Sequence, residues 1–463
     1  MRLLHSASRT HASFDDPNLV SCAGLVPVMR LAQACGLAGL LARWVRIGTS
    51  VGTNPSDKIT SIIAGMVTGA DCIDDLDVVR HGGMAALFGG VYAPSTLGSF
   101  LREFTFGHVR QLGAVARRFV VALAGAVPLL DGAQEVTYVD VDSLLRRVYG
   151  KAKQGAGFGH TKVGGYPVLL RGLSPLIATL STPIAAPVIA AARLRGGSAG
   201  SARGAASLVC EALTVAREVG AAGLILLRGD SAYYTGKVIA AARRAGACFS
   251  ITVASNPSVR RAIATLSEQA WTSIRYPDAV FDDEGQCWIS DAQVAETTYT
   301  AFAGTKYQVT ARLVVRRVRR ENPSGQGELL PGYRYHAFLT DTTLSTIDAD
   351  LTHRAHAVIE QVFADLIDGP LAHLPSGRFG ANGAWLICAT IAHNLLRAAG
   401  TLTSRTYGKA RAATLRRQII NVPAQLTHRA HGIVVHLPTH WPWATRWQRL
   451  FQVTCRPAPA TPT

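Results

Sequence analysis

The sequence predicts an α/β protein built on a mixed β-sheet flanked by helices, with a helical region before the sheet and a β-rich segment interrupting it. Three observations carry this expectation. An alternating apolar run, Val136 to Val141, halts at Asp142-Ser143, as a strand ending on a polar edge would. Strand and helix periods then alternate to about residue 253. From about 255 to 345 only strand signals occur, after which helical periodicity resumes.

Residues 1–130 read as a helical N-terminal region. Apolar periodicity runs through Val28 to Val45, a capped segment spans Ser56 to Val67, and another begins at Ser95 after Pro94. That last segment sets Ser95, Thr96, Ser99 and Arg102 on one face, suited to a DNA groove, with a plain solvated face as the alternative. Asp71, Asp74, Asp75 and Asp77 precede it and would repel phosphate.

Residues 131–254 form the first part of the core. Asp140 and Asp142 share one strand face by the two-residue period. Tyr166 to Leu170 and Pro175 to Leu180 read as two further strands, Ala202 to Val219 as a helix, and Gly223 to Leu227 as a buried strand ending at Asp230. A capped helix, Thr235 to Gly246, and a strand, Phe249 to Val253, follow. The order β-β-β-α-β-α-β is that of the RNase H-like fold. Residues 255–345 read as a β-rich insertion, with strands at Val294 to Phe302, Tyr307 to Val318 and Tyr333 to Leu339. The second part of the core, 346–400, holds helices at Ala349 to Ile367 and Ala381 to Ala399, and 401–463 is a basic C-terminal region whose Arg405 to Arg417 segment reads as frayed.

Composition narrows the function. Of 463 residues, 47 are Lys or Arg against 30 Asp or Glu, a formal +17 that points to a polyanionic partner, nucleic acid before an acidic membrane. The longest uncharged stretch, Leu173 to Ala192, is broken by Pro175, Pro183 and Pro187, so no membrane span is expected. Cysteines 22, 35, 72, 210, 248, 287, 388 and 455 lack paired C-x-x-C spacing, which predicts buried reduced thiols and a cytoplasmic, nucleoid-associated protein. Without G-x-G-x-x-G after a strand or G-x-x-x-x-G-K-[ST], a nucleotide-dependent metabolic enzyme is disfavoured.

Chemistry on phosphodiesters needs an activated nucleophilic oxygen and a stabilised leaving oxygen, work commonly done by two metal ions about 4 Å apart and held by carboxylates. Asp142 and Asp230 end strands, and Glu360 borders the apolar stripe Val358, Ile359, Val362, Phe363, Leu366 and Ile367. Taken singly, each acid also reads as an ordinary surface or capping residue; their joint placement is what singles them out.

Several stretches resemble bacterial insertion-sequence transposases of the DDE type, the group with a β-strand insertion before the catalytic Glu. Tyr138 to Ser143 resembles the first-aspartate motif, Gly150 to Ala156 with Gly159 to Tyr166 the stretch after it, and Arg228 to Tyr234 the second. His356 to Glu360, followed by Leu371 to Phe379, resembles the third. The likeness extends from about Asn18 to Phe451. It implies Asp142, Asp230 and Glu360 as catalytic ligands of Mg2+, with Mn2+ as substitute, and 3′-end cleavage and joining in cut-and-paste transposition. Its implied partner is double-stranded DNA, the element's terminal inverted repeats and target DNA, bound by a homodimer on paired ends. In the family the aspartate followed by a small or hydroxyl residue is the ligand, which selects Asp142 over Asp140. Members often carry Tyr, Arg and Lys around the Glu; His353, His356 and Ile367 stand here, leaving Arg354 or the histidines to grip phosphate.

Basic residues near those acids are candidates for DNA contact: Arg146, Arg147, Lys151 and Lys153 after the first aspartate, and Arg316, Arg317, Arg319 and Arg320 in the insertion. A third cluster, Lys409, Arg411, Arg416 and Arg417, lies in the tail. Trp271 and Trp288 read as core before they read as base-holding aromatics. The competing functions are a catalytically inactive, transposase-derived DNA-binding protein and a nuclease that cuts without joining.

Overall fold

A computed structural model describes all residues except 2, 3, 6, 164, 320–331 and 456–463; the side chains of 162 and 163 are also left out. Five longer helices, with a single turn at Met84–Leu87 among them, come first: α1 Leu25–Ala34, α2 Leu37–Trp44, α3 Pro55–Thr68, α4 Pro94–Arg102 and α5 Phe106–Ala126. Pro starts α3 and α4, where its missing N–H costs nothing. Thr105 caps α5 in a reciprocal box with His108. On α4, Leu97, Phe100 and Leu101 are buried while Ser95 and Arg102 are exposed, and Arg102 donates to the Ser99 hydroxyl at 2.9 Å.

The core strands are β1 Val136–Ser143, β2 Tyr166–Ser181, β3 Val188–Gly196, β4 Leu224–Gly229 and β5 Cys248–Val253. They lie side by side in the order β3-β2-β1-β4-β5, with β1, β4 and β5 parallel and β2 antiparallel to β1. Helices α6 Ala205–Glu218 and α7 Gly236–Arg244 supply the crossovers that parallel strands require. This is the RNase H-like mixed sheet. The two stretches read as separate strands around Tyr166 and Pro175 are one strand of 16 residues. Within it the Pro175 carbonyl accepts from the Leu144 N–H at 3.1 Å.

The β-rich insertion extends the same sheet. Strands β6 Ala292–Ala301, β7 Val309–Arg319 and β8 Tyr333–Thr340 continue it from β5 through antiparallel β8, giving, with Arg146–Arg147, Gly157–Val163 and Thr272–Ser273, a sheet of 11 strands among the described residues. The helix expected from Ala349 to Ile367 is two, α8 Thr346–Arg354 and α9 Ile359–Ile367, separated by a 3-10 turn over Ala355–Val358. His353, near the end of α8, and His356, in the 3-10 turn, both face the sheet. Helix α10, Phe379–Thr403, is buried along almost its whole length and packs on α5, α3 and β3.

The segment read as frayed is ordered. Strands β9 Ala424–Arg429 and β10 Gly432–His436 form a small sheet with Leu19–Val20, and α11, Ala444–Cys455, buries Trp447 and Leu450 against α1 and α10. Asp365 anchors this return: it accepts from Arg397 Nη2 at 2.7 Å, Arg411 Nε at 2.5 Å and Ala412 N–H at 3.2 Å. Burial pushes its carboxyl up, but Arg411 and the other cationic neighbours outweigh this and hold it below the usual range. A folded-state pKa below the unfolded value near about 3.9 means the cluster stabilises above that pH and fades as pH falls through the folded value. Asp365→Asn is therefore expected to cost roughly 3–5 kcal/mol at neutral pH, measured by urea unfolding, with the deficit shrinking in acid.

All eight cysteines are free, but Cys210 and Cys287 are exposed where burial was expected. Among the described residues no single helix is long and apolar enough to cross a membrane, although the bent pair α1 and α2 would pass by composition.

Candidate active site

Parallel pairing of β1 with β4 places Val141 beside Gly229, so the next residues, Asp142 and Asp230, fall opposite each other at the carboxyl ends of adjacent strands. Glu360 lies in the first turn of α9, exposed beside the buried Ile359, Val362, Phe363 and Leu366. Burial raises the Asp142 carboxyl to about 6, with the charges of Asp230 and Glu360 adding to the rise and its own Ser143 N–H and His356 opposing it. The fold thus brings the three predicted acids within electrostatic reach of one another.

Asp140, two residues earlier on the same face, has a different fate. Arg228 donates through Nε and Nη2 to its two carboxylate oxygens, each at 2.7 Å, and both side chains are fully buried. His356 Nδ1 donates to Asp140 Oδ1 at 3.0 Å. Burial disfavours the Asp140 carboxylate, yet Arg228 and His356 hold its pKa below the ordinary value. The bidentate pair follows from register, since Asp140 and Arg228 are direct neighbours across β1 and β4. Arg228 also stacks over the Tyr138 ring at 4.0 Å and donates to the Thr352 carbonyl at 2.8 Å, fastening α8 to the sheet.

Asp142, Asp230 and Glu360 have no cationic ion-pair partner among the described residues. Asp142 accepts only from the Ser143 N–H at 2.6 Å, and Asp230 from the Ala232 N–H at 3.0 Å, capping the turn Ser231–Tyr233. Behind them Tyr233 is fully buried, its hydroxyl pushed well up by burial and by the Asp142 charge. Three mutually repelling hard-oxygen donors without a cationic partner fit a divalent cation such as magnesium. They are not tightly gathered. Among the described residues the closest set of such ligand atoms is Asp71, Cys72 and Asp75, within 4.8 Å of one another on the exposed N-terminal region. There Asp75 accepts from the Asp71 N–H at 3.2 Å, an ordinary turn bond.

The other candidates divide. His353 is neutral: burial and neighbouring cations push it down to about 3, its ring nitrogens meet Ser250 and Thr252 hydroxyls at 2.8 and 2.9 Å, and it stacks on Phe338 at 4.1 Å. Both histidines face the sheet, and Arg354 pairs with Asp350 at 2.9 Å, so none of the three points at a phosphate site. Arg146 donates to the Ala372 carbonyl at 2.9 Å and Lys153 to the Leu374 carbonyl at 2.6 Å, while Arg147 and Lys151 are exposed. In the insertion Arg316 pairs with Asp350 and Arg317 is bidentate on Glu268; Arg319 is exposed, and Arg320 lies outside the described residues. Trp271 packs against Arg317 at 4.3 Å and Trp288 against Phe281 at 5.0 Å. In the tail Arg411 and Arg416 turn inward, and Lys409 and Arg417 are exposed.

A 3-2-1-4-5 mixed sheet flanked by helices, with acids at the ends of two adjacent strands and on a later helix, is an RNase H-like arrangement. The chain belongs to the family Transposase DDE domain group 1, whose model matches residues 4–456. Members act on DNA through divalent metal. No curated protein sequence matches it. Among solved structures it is similar to the piggyBac transposase in a cryo-EM synaptic complex with hairpin DNA, at 12% identity and a TM-score of 0.39, over 85% of this chain and 79% of that one.

Proposed function

We propose that the chain is the transposase of a mobile element, binding the element's terminal inverted repeats and carrying out cleavage and strand transfer with Asp142, Asp230 and Glu360 as ligands of magnesium. The observation that supports this best is the contrast on one strand face: Asp140 is fully buried with Arg228 and His356, whereas Asp142 faces two further unpaired acids. Bound ions would stabilise the attacking and leaving oxygens of an in-line displacement. The chain's own part is to fix the acids. β1 and β4 set Asp142 and Asp230, the Asp140–Arg228 pair locks those strands to α8, and the 3-10 turn delivers Glu360. Arg147, Lys151 and Arg319, exposed around this end and on the insertion, would meet phosphates, with Arg146, Lys153, Arg316 and Arg317 shaping the surfaces that carry them. A homodimer on paired ends is part of the proposal.

The test is incubation of purified protein with a labelled duplex carrying the element's end and a target plasmid, in magnesium or manganese. Nicking that yields a 3′ hydroxyl, followed by joining to the plasmid, is expected. Binding without any cut would replace the proposal with a DNA-binding protein, and cutting without joining with a nuclease.

A further inference from the structure

Three arginines converge on one carboxylate beside the sheet. Arg110 and Arg117 of α5 reach Glu211 of α6 at 2.8 and 2.9 Å, and Arg193 of β3 reaches it at 2.7 Å. Glu211, with the charge of Glu218 reaching Arg117, does not balance three guanidinium groups, and the exposed Arg203 adds a fourth cation at the cleft. Burial works against the charged forms of Arg117 and Arg193, so the surplus is costly as it stands. Arg193 Nε is buried and has no hydrogen-bond partner among the described residues. The cleft has a volume of about 760 Å³, and Phe106 stands at its mouth with 74% of its surface exposed.

Its position gives the surplus a purpose. β3 runs parallel to β1 with β2 between them, and Ser143 pairs with Leu176, which pairs with Arg193. Arg193 therefore sits level with the last residue of β1, at the same end of the sheet as the acids and about 10 Å across it, with its side chain on the Ser143 face and Asp142 on the other. The cleft-lining Arg195 feels the Asp142 charge. Gly196, the last residue of β3 at this end of the sheet, and Ala199, Arg203 and Gly204 after it line the cleft, so DNA crossing the sheet end at the acids would meet its mouth.

We propose that the cleft is a second DNA contact, in which Arg110, Arg193 and Arg203 take the phosphodiester backbone of the DNA flanking the cleaved position, with Arg117 behind them on Glu211. Phe106 supplies an apolar face for sugar or base, and Glu211 holds the guanidinium groups in place when DNA is absent. This rests on the reading of the chain as a DNA-processing enzyme, and it concerns binding alone.

The test uses the full chain in EDTA, a labelled duplex of random sequence, and salt titration between roughly 50 and 200 mM. Arg110→Gln and Arg203→Gln each remove a partly or fully exposed charge, and their combination is expected to lower the slope of log affinity against log salt by about 2, near 0.9 per phosphate contact. Arg429→Gln, on the small terminal sheet, should leave the slope unchanged. Glu211→Gln, which removes the competing carboxylate at constant shape, should tighten binding. An unchanged slope in the double variant, or weaker binding by folded Glu211→Gln protein, overturns the proposal while leaving the cleavage reading standing. A reduced slope in protein that never cuts would separate the two in the opposite sense.

Discussion

Replacement of Asp142, Asp230 or Glu360 by its amide is expected to abolish cleavage and leave binding of the element's end intact. Metal-held oxygens account for several kcal/mol of transition-state stabilisation, and each 1.36 kcal/mol is a factor of ten, so a loss of ~10³-fold or more is expected for each variant. The three losses should not add, because a site missing one ligand has already lost its geometry. The pH dependence has a definite sign. Without metal, Asp142 carries a pKa raised to about 6, so its proton competes with the cation and metal affinity falls as pH drops through that value. The same rise means that ionising Asp142 costs folding stability, and metal-free protein should become more stable as pH is lowered from 7 toward 5. Thermal unfolding in EDTA across that range, compared with Asp142→Asn, reads this directly.

Breaking the Asp140–Arg228 pair is the second large expected effect, and it falls on stability. Arg228→Ala would leave a fully buried carboxylate with only His356, and Asp140→Ala would leave a buried guanidinium. Either should cost about 3–5 kcal/mol, a large share of the 5–15 kcal/mol that a domain typically has. The cost is not only local, because Arg228 also ties α8 to the sheet through the Thr352 carbonyl and so supports the approach to Glu360. Urea unfolding measures the loss. Cleavage by the remaining folded protein should fall less than for Asp142→Asn, and equal or greater loss per folded molecule in Asp140→Asn would shift the ligand role to Asp140.

The core was legible in sequence where period and polarity coincide. Val136 to Val141 alternates and stops at acids, and Gly223 to Leu227 is a short apolar run ending at Asp230, so both acid-bearing strand ends are marked before any pairing is known. What could not be read was pairing itself. Asp140 and Asp142 are equivalent by strand period, and only the parallel register of β1 with β4 sets Arg228 against one of them. His356 is likewise a surface histidine by helical period; the 3-10 turn that turns it inward is a tertiary compromise.

Charge misled for a related reason. The formal +17 counts Arg195, Arg228, Arg317, Arg397 and Arg416 as potential DNA contacts, but each is buried. The clusters at Arg316 and Arg317 and at Arg411 and Arg416 are spent on Asp350, Glu268, Asp365 and backbone carbonyls. By contrast Arg110, Arg117 and Arg193, drawn from a helix and a distant strand, form the densest knot of positive charge around one acid and make no cluster in the sequence. The Arg405 to Arg417 segment reads as frayed because it is basic with short apolar runs; Asp365 orders it through Arg411 and Ala412, and β9 just beyond it is held by pairing with Leu19–Val20 near the other end of the chain.

The central claim is that Asp142, Asp230 and Glu360 together form the metal site. Its most direct test is manganese binding, followed by electron paramagnetic resonance with the element's end present, in wild type and in Asp142→Asn, Asp230→Asn, Glu360→Gln and Asp140→Asn proteins shown to be folded. Loss of bound manganese in the first three variants and its retention in Asp140→Asn is the predicted result. Retention in Asp142→Asn, or binding that instead depends on Asp71 and Asp75, would contradict the account.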